Sequence, residues 1–385
     1  NGSSLPNGKA TGFSGLSYEV VRAVSKGEEG FATLCKVFNH ILNHPDDIPK
    51  QYYMARLTGI LKPDGGTRPL CIQETILKIL NKILTLKITD IVRDKLLPTQ
   101  KCLARTEGQA EARNQVLQHI KEGYVCAIQF DFQNAFGTVD RKKIVQRLLH
   151  YDVGKTIINY IITILNNQKI VYEQGEEDKV LDLETGVPQG EPLSMVLFAL
   201  GIDALIEEFN NRDGVRVTAY ADDVVVTVLR EEMIKKTMDE FECKAKEFGL
   251  RLNKNKTKLN MIRDINKENI KEYGISENNI INLHNGSSTY VGLPLTLNRK
   301  LEIHFVREKM RELLSVSEKL WNTETPVQLK YHLQRMCADA TLDYALKVIR
   351  YDKNEDNQWM KEIQNKFIEI WQKSMGTLPA KLWRL

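Results

Sequence analysis

Three carboxylates and two cations in this chain have types and spacings that suit phosphate chemistry. Asp222 and Asp223 are adjacent in Tyr220-Ala221-Asp222-Asp223, between two β-branched runs, 215–218 and 224–228, that read as strands meeting at a tight turn. Carboxylates at such a tip leave the ladder and point where a divalent cation can reach them. Asp is also a common turn former, so the pair alone equally fits ordinary hairpin chemistry. Asp131 closes the apolar run 124–130 and precedes Phe132-Gln133-Asn134-Ala135-Phe136. A strand fixes the backbone of such a residue and leaves its head group outside; the plainer reading is a helix cap. Lys62 and Arg68 flank Lys62-Pro63-Asp64-Gly65-Gly66, a loop of strong turn formers. They stand close enough in sequence to converge on one phosphate, or else are two solvated charges beside a hairpin.

Composition bounds the setting. A chain of 385 residues exceeds one typical domain and calls for two or three subdomains. With 42% hydrophobic and 27% charged residues it can bury a sizeable core. A net charge of +4 permits a polyanionic partner without demanding one. The six cysteines (35, 71, 102, 126, 243 and 337) form no Cys-x-x-Cys pair and do not cluster with the seven histidines, which argues against structural zinc and for buried thiols in a reducing compartment. There is no signal peptide and no apolar run of about 18 residues, so no membrane partner is expected.

Elements to position these groups follow along the chain. Residues 1–12 read as an irregular arm, and 17–43 carry helical periodicity broken at Gly27–Gly30. Strands are expected at 54–61 and 67–72, around the Lys62–Gly66 loop. A helix is expected over 76–92, then a buried strand at 124–130, helices at about 140–149 and 155–166, and a hairpin pairing 169–173 with 179–183 around Gly175. Gly186-Val187-Pro188-Gln189-Gly190-Glu191-Pro192-Leu193-Ser194 is a rigid loop that allows close backbone approach, suited to a flat group such as a base pair; its bland reading is a helix entry. An apolar helix over 195–209 follows it, and an amphipathic helix covers 231–248. From residue 301 the pattern is helical. Thr325-Pro326-Val327-Gln328 reads as a capping box opening a helix through 348, and a last helix is expected over about 357–375.

In order and spacing these stretches resemble the reverse transcriptase domain across nearly the whole chain. Lys62…Arg68-Pro69-Leu70 resembles the fingertip hairpin that holds the incoming triphosphate, 131–136 resembles motif A, 186–194 motif B and 219–223 motif C. Gly249-Leu250…Lys256-Thr257 resembles motif D, and Tyr290-Val291-Gly292-Leu293 resembles the primer grip, motif E. Within the family the Asn-Ala-Phe form of motif A and the Pro-Gln-Gly-Glu-Pro-Leu-Ser form of motif B are similar to non-LTR retrotransposons of the CRE/SLACS kind or related site-specific elements, with group II intron maturases as the nearest competitor. Glu191, Met195 and Gly137 depart from the usual residues. Glu191 is expected to add negative charge near the template path.

The resemblance implies an α+β right-hand polymerase. Its parts would be an N-terminal extension with fingers over 1–123, palm over 124–140, a fingers insertion over 141–183, palm again over 184–297, and a helical thumb over 298–385. It implies an RNA-directed DNA polymerase that extends a primer 3′-hydroxyl on an RNA template by two-metal phosphoryl transfer. Asp131, Asp222, Asp223 and Lys256 would be catalytic. Asp131, Phe132, Asp222 and Asp223 would hold two Mg²⁺ ions, with Mn²⁺ as a substitute. Lys62, Arg68, Asn134, Ala135, Phe136, Gln189 and Gly190 would hold the nucleotide, with Phe136 beneath the incoming sugar. Val291, Gly292 and Leu293 would grip the primer. The partners implied are an RNA template, a DNA or RNA primer, the RNA–DNA hybrid and dNTPs, and Lys309, Arg311, Lys319, Lys330 and Arg335 would track a duplex. The setting implied is intracellular, nuclear for a eukaryotic retroelement. Two other readings stay open: a non-catalytic RNA-binding scaffold, and an RNA-dependent RNA polymerase, although the latter's Gly-Asp-Asp core is absent.

Overall fold

The computed structural model describes residues 5–339 except 62–64, 97, 105, 175–176, 265–269 and 271, and beyond them residues 346, 358 and 361–370 except 363 and 367. The fold is α+β, and the chain divides into two compact units. One comprises Asn1–Leu259 with Ile265–Ile280, the other Asn260–Asp264 with Ile281–Leu385.

The first unit opens with helices α1 (Tyr18–Val24) and α2 (Glu28–Asn43). Strands β1 (Met54–Leu61) and β2 (Thr67–Ile72) match the sequence expectation at both ends. They join β4 (Lys169–Gln174) and β5 (Glu177–Asp182) in a four-stranded sheet of order β2-β1-β4-β5, in which β1 runs antiparallel to β2 and parallel to β4. The long helix α3 (Thr75–Leu96) buries Ile76, Leu80, Leu84, Ile88, Val92 and Leu96. Spacing of four residues places these on one face.

A second sheet carries the carboxylates. Its strands are β3 (Cys126–Phe130), β6 (Val215–Tyr220), β7 (Asp223–Val228), β8 (Lys258–Met261) and β9 (Ile280–Asn282), in the order β6-β7-β3-β8-β9. Strand β7 is antiparallel to both β6 and β3 and is buried along its whole length after Asp223. Such a run of Val residues needs cover on both faces. One cover is α4 (Gly108–Lys121), whose His119 Nδ1 lies 3.1 Å from the Thr227 hydroxyl. Others are α8 (Ser194–Asn210) and α9 (Met233–Glu247), through Phe209, Phe241 and Phe130; the last two rings stack at 4.2 Å. The short α5 (Ala135–Thr138) follows β3, and α6 (Arg141–His150) and α7 (Lys155–Asn167) lead to the β4–β5 hairpin.

In the second unit β10 (Ser288–Tyr290) pairs with β11 (Leu293–Leu295) around Val291 and Gly292, both at positive φ. Helix α10 (Arg299–Trp321) is capped by Asn298, whose side chain accepts from the Lys300 N–H, and α11 (Val327–Leu333) widens into a π-helical turn, Gln334–Asp339. Thr325 does not cap α11: Pro326 occupies the cap, and the Thr325 hydroxyl accepts from Thr323. Most of 340–348, the end of the helix expected through 348, and most of the helix expected over 357–375 lie outside the described residues. Lys330 is buried with its ammonium donating to the Trp321 carbonyl at 2.9 Å, so it is not part of a solvated basic face. Thiol burial is also mixed, since Cys71 and Cys126 are buried and Cys243 is exposed.

Candidate active site

The β6–β7 hairpin closes with Tyr220 opposite Asp223, leaving Ala221 and Asp222 as a two-residue loop. Ala221 has φ +52°, a left-handed conformation that side chains with a Cβ rarely adopt. Its geometry turns Asp222 out at the tip while Asp223 starts β7. Asp131 follows the last residue of β3, the strand beside β7. The backbone of 131–133 is stitched to 251–253: Asn253 N–H donates to the Asp131 carbonyl at 2.7 Å, Gln133 N–H donates to the Arg251 carbonyl at 2.8 Å, and Phe132 bridges Leu252. All three carboxylates are therefore carried on fixed backbone.

They feel one another. Asp222 and Asp223 are both exposed at the tip, and partial desolvation there still acts on their charge. Burial, then the charges of Asp222 and Asp131, push Asp223 up to about 6. Burial also raises Asp222, with Asp131 adding to the shift, its own backbone N–H lowering it, and Arg68 lowering it further. Like-charge repulsion of this kind is what a bound cation relieves. Carboxylates and the Phe132 carbonyl are hard oxygen donors, which suit Mg²⁺ or Mn²⁺. Among the described residues no three His, Cys, Asp or Glu side chains are gathered at metal-binding spacing, so the three carboxylates are coupled through charge rather than closed into a cage.

The remaining positions distribute as follows. Arg68 is exposed on β2, close enough to Asp222 to act on it, and Lys62 lies outside the described residues. Lys256 is exposed in a turn whose N–H donates to the Asn253 carbonyl at 3.0 Å, so the turn hangs from the same backbone that holds Asp131. Asn134 has φ +49° and lays its side chain against Gly137. Ala135 is buried. Phe136 is half-buried and stacks on Phe198 at 4.5 Å. Its carbonyl accepts from Val187 N–H at 2.7 Å, pinning α5 to the 186–194 loop. Gly186 makes this possible, because at φ +66° an added Cβ would lie 2.3 Å from the Phe136 carbonyl oxygen. On the loop's other side Cys71 N–H of β2 donates to the Gln189 carbonyl at 2.8 Å, and Gly190, at φ +101°, passes close to the Cys71 carbonyl. The loop thus joins the strand carrying Arg68 to the segment carrying Phe136. Val291, Gly292 and Leu293 belong to the second unit, at the β10–β11 turn.

Glu191 does not face outward as the sequence suggested. It is 7% exposed and lines a cavity of about 20 Å³ with Gln73, Asn81, Gln168 and Ser194. Burial pushes it up to about 8, with Lys78, the Asn81 amide and the Gln73 backbone N–H offsetting part of that shift. It lies beneath the loop, where burial favours the protonated acid, and not on the loop's surface.

One residue that sequence reasoning missed touches the hairpin tip. The Gln100 side chain accepts from Ala221 N–H at 2.7 Å from 121 positions away, and no local pattern signals that contact.

The family profile described as "Reverse transcriptase (RNA-dependent DNA polymerase)" matches residues 60–305. Among curated relatives, a retrovirus-related Pol polyprotein from the type-1 retrotransposable element R2 of Nasonia vitripennis is 26% identical over 263 residues, covering 61% of this chain and 25% of that protein. A putative COX1/OXI3 intron 1 protein of Saccharomyces cerevisiae is 25% identical over 159 residues, covering 40% of this chain and 18% of its own length. The chain thus spans about a quarter or less of the curated relatives it matches. Among solved structures, telomerase of Candida tropicalis with a fragment of telomeric RNA aligns with TM-score 0.49 and 15% identity, covering 94% of this chain and 63% of that one.

Proposed function

The chain belongs to the reverse transcriptase (RNA-dependent DNA polymerase) family, and on that premise we propose that it copies RNA into DNA, adding dNTPs to a primer 3′-hydroxyl. The observation that carries the reading is the meeting of Asp131 with Asp222 and Asp223 at adjacent strand ends, electrostatically coupled and within reach of Arg68. Phosphoryl transfer needs little covalent help from protein and much placement of charge.

In this reading Asp131, Asp222, Asp223 and the Phe132 carbonyl would hold the divalent metal. Bound Mg²⁺ would supply activation of the primer hydroxyl and charge neutralisation at the leaving pyrophosphate. Lys62 and Arg68 hold the β- and γ-phosphates by charge-assisted bonds. Lys256 neutralises the leaving pyrophosphate or gives it a proton. Gln189 and Gly190 support the nascent base pair, while Asn134, Ala135 and Phe136 form the floor under its sugar. Val291–Leu293 grips the primer end. The hand-like division proposed is fingers over 1–123 with 141–183, palm over 124–140 with 184–297, and thumb over 298–385. Similarity to R2 Pol polyproteins favours a non-LTR retroelement as the origin of the chain.

Primer extension by the 385-residue chain on a defined RNA template tests this, with dNTPs or rNTPs and with Mg²⁺ present or chelated. DNA synthesis that needs Mg²⁺ is the expected result. Extension with rNTPs alone would make the chain an RNA polymerase. RNA binding without extension under any condition would make it a scaffold.

A further inference from the structure

The turn that presents Asp222 and Asp223 is strained, and something must hold it. Ala221 sits at φ +52°, where a residue with a Cβ is held at a cost of about 1–3 kcal/mol. In a two-residue hairpin loop the usual remedy is glycine, which has no Cβ to clash. This chain keeps alanine and brings in a partner instead.

That partner is Gln100. Its side-chain oxygen accepts from Ala221 N–H at 2.7 Å, and its side-chain nitrogen lies 3.5 Å from the Ala221 carbonyl, so one carboxamide spans both polar groups of the strained residue. Gln100 is 1% exposed, and burial strengthens both contacts by excluding water. Its backbone is fixed as well: Gln100 bridges Ala219 in parallel, and Ala219 N–H donates to the Thr99 carbonyl at 2.7 Å. The segment that carries it is tied to α3 through Gln100 N–H on the Leu96 carbonyl at 2.8 Å, and to α4 through the Gln115 side chain on the Pro98 carbonyl at 2.9 Å. The short turn Lys101–Leu103 follows, and Gly108, at the start of α4, approaches the Lys101 carbonyl so closely that a Cβ would sit 2.2 Å from it. The amide is thus held from both neighbouring helices and aimed at one peptide.

We infer that Gln100 is the positioning residue of the reacting centre: its carboxamide clamps the Ala221 peptide and so fixes where the Asp222 and Asp223 carboxylates point. This rests on assigning those two carboxylates to catalysis. Gln100 touches no substrate. Its effect is on the aim of groups that do, and errors of about 1 Å at such groups cost about 100-fold in rate.

The test compares the parent with Gln100→Met, which keeps the volume and removes both polar contacts, and with Gln100→Met/Ala221→Gly, in which the turn no longer needs holding. Val116→Ala is the control, since it removes buried atoms from α4 without touching the carboxamide. Two quantities are read: hydrogen exchange at the Ala221 amide, and kcat and KM for extension on RNA. In Gln100→Met, Ala221 exchange should rise about tenfold or more, kcat should fall about 10–100-fold, and KM for dNTP should change by less than about threefold. The double variant should recover a large part of kcat, and Val116→Ala should leave both readouts near the parent. Unchanged Ala221 protection in Gln100→Met, or a loss of kcat that Ala221→Gly does not relieve, would overturn the inference. Should Gln100→Met not fold, Gln100→Asn draws the carboxamide back by one methylene, and Ala221 exchange should rise there with reduced kcat; unchanged protection would count against the clamp. If the parent shows no extension at all, the catalytic reading fails, and the exchange measurement still decides whether the clamp exists.

Discussion

Replacing Glu191 by Gln should stabilise the protein, and by an amount that depends on pH in a defined way. The acid is buried in a cavity of about 20 Å³ beside the Asn81 amide and the Gln73 backbone, and burial pushes its ionisation up to about 8. In the unfolded chain it ionises in the usual carboxylate range, near 4.3. Below that value both states are protonated and burial carries no ionisation penalty. Between about 4.3 and 8 the unfolded chain has released its proton and the folded one has not, so stability falls as pH rises; above 8 the loss is complete. Each pH unit in that window is worth about 1.4 kcal/mol, which caps the loss at roughly 5 kcal/mol. Water entry and local rearrangement reduce this, so about 2–4 kcal/mol is the expected gain for the Gln variant at pH 8. Glutamine has the shape of the protonated acid and no charge to expel. Thermal unfolding of both proteins from pH 5 to 8.5 measures it: the midpoints should nearly coincide at pH 5 and separate by about 4–8 °C at pH 8. A gap that does not change with pH, or a parent that is more stable at pH 8, would refute the buried-acid argument.

Other substitutions probe the loop and the nucleotide floor. If Arg68 holds the triphosphate as proposed, Arg68→Ala forfeits a charge-assisted contact worth about 1.5–3 kcal/mol and should raise KM for dNTPs about tenfold or more; equal KM values would make Arg68 structural. Phe136→Val loses the stack on Phe198 and about 1–2 kcal/mol of stability, but the informative readout is sugar choice. If the ring lies beneath the incoming sugar as proposed, its loss should lower the ratio of kcat/KM for dCTP over CTP by orders of magnitude, because only the 2′-hydroxyl differs; a constant ratio places the selection elsewhere. Gly186→Ala forces a Cβ to 2.3 Å from the Phe136 carbonyl oxygen at a positive φ, and should cost about 2–4 kcal/mol in thermal or urea unfolding. An unfolding midpoint equal to the parent's would show that the two loops part easily.

Legibility varied with how local the causes were. Strands β1 and β2 were readable to the residue because turn formers bracket two β-rich runs, and α3 was readable because its apolar residues recur every four positions. Helix α4 escaped notice: much of its buried face is Ala110, Ala112 and Arg113, which make a weak apolar stripe. The side of the loop that Glu191 occupies was misread because acids are rarely buried, and residue type argued for the surface. Gln100 was invisible because its partner is 121 residues away and only the sheet brings them together. The carboxylate constellation itself was visible, since each Asp stands where a strand ends. Its electrostatic coupling came only with the sheet order, which sets β3 beside β7.

The central claim is that Asp131, Asp222 and Asp223 form one reacting centre on an RNA-copying enzyme. Its most direct test is the single-turnover rate of dNTP addition on an RNA template by the parent and by Asp222→Ala, with template affinity measured in parallel. The account requires a fall of about a thousandfold or more, roughly 4 kcal/mol of transition-state stabilisation, with RNA affinity nearly unchanged. A variant that extends within tenfold of the parent would contradict it.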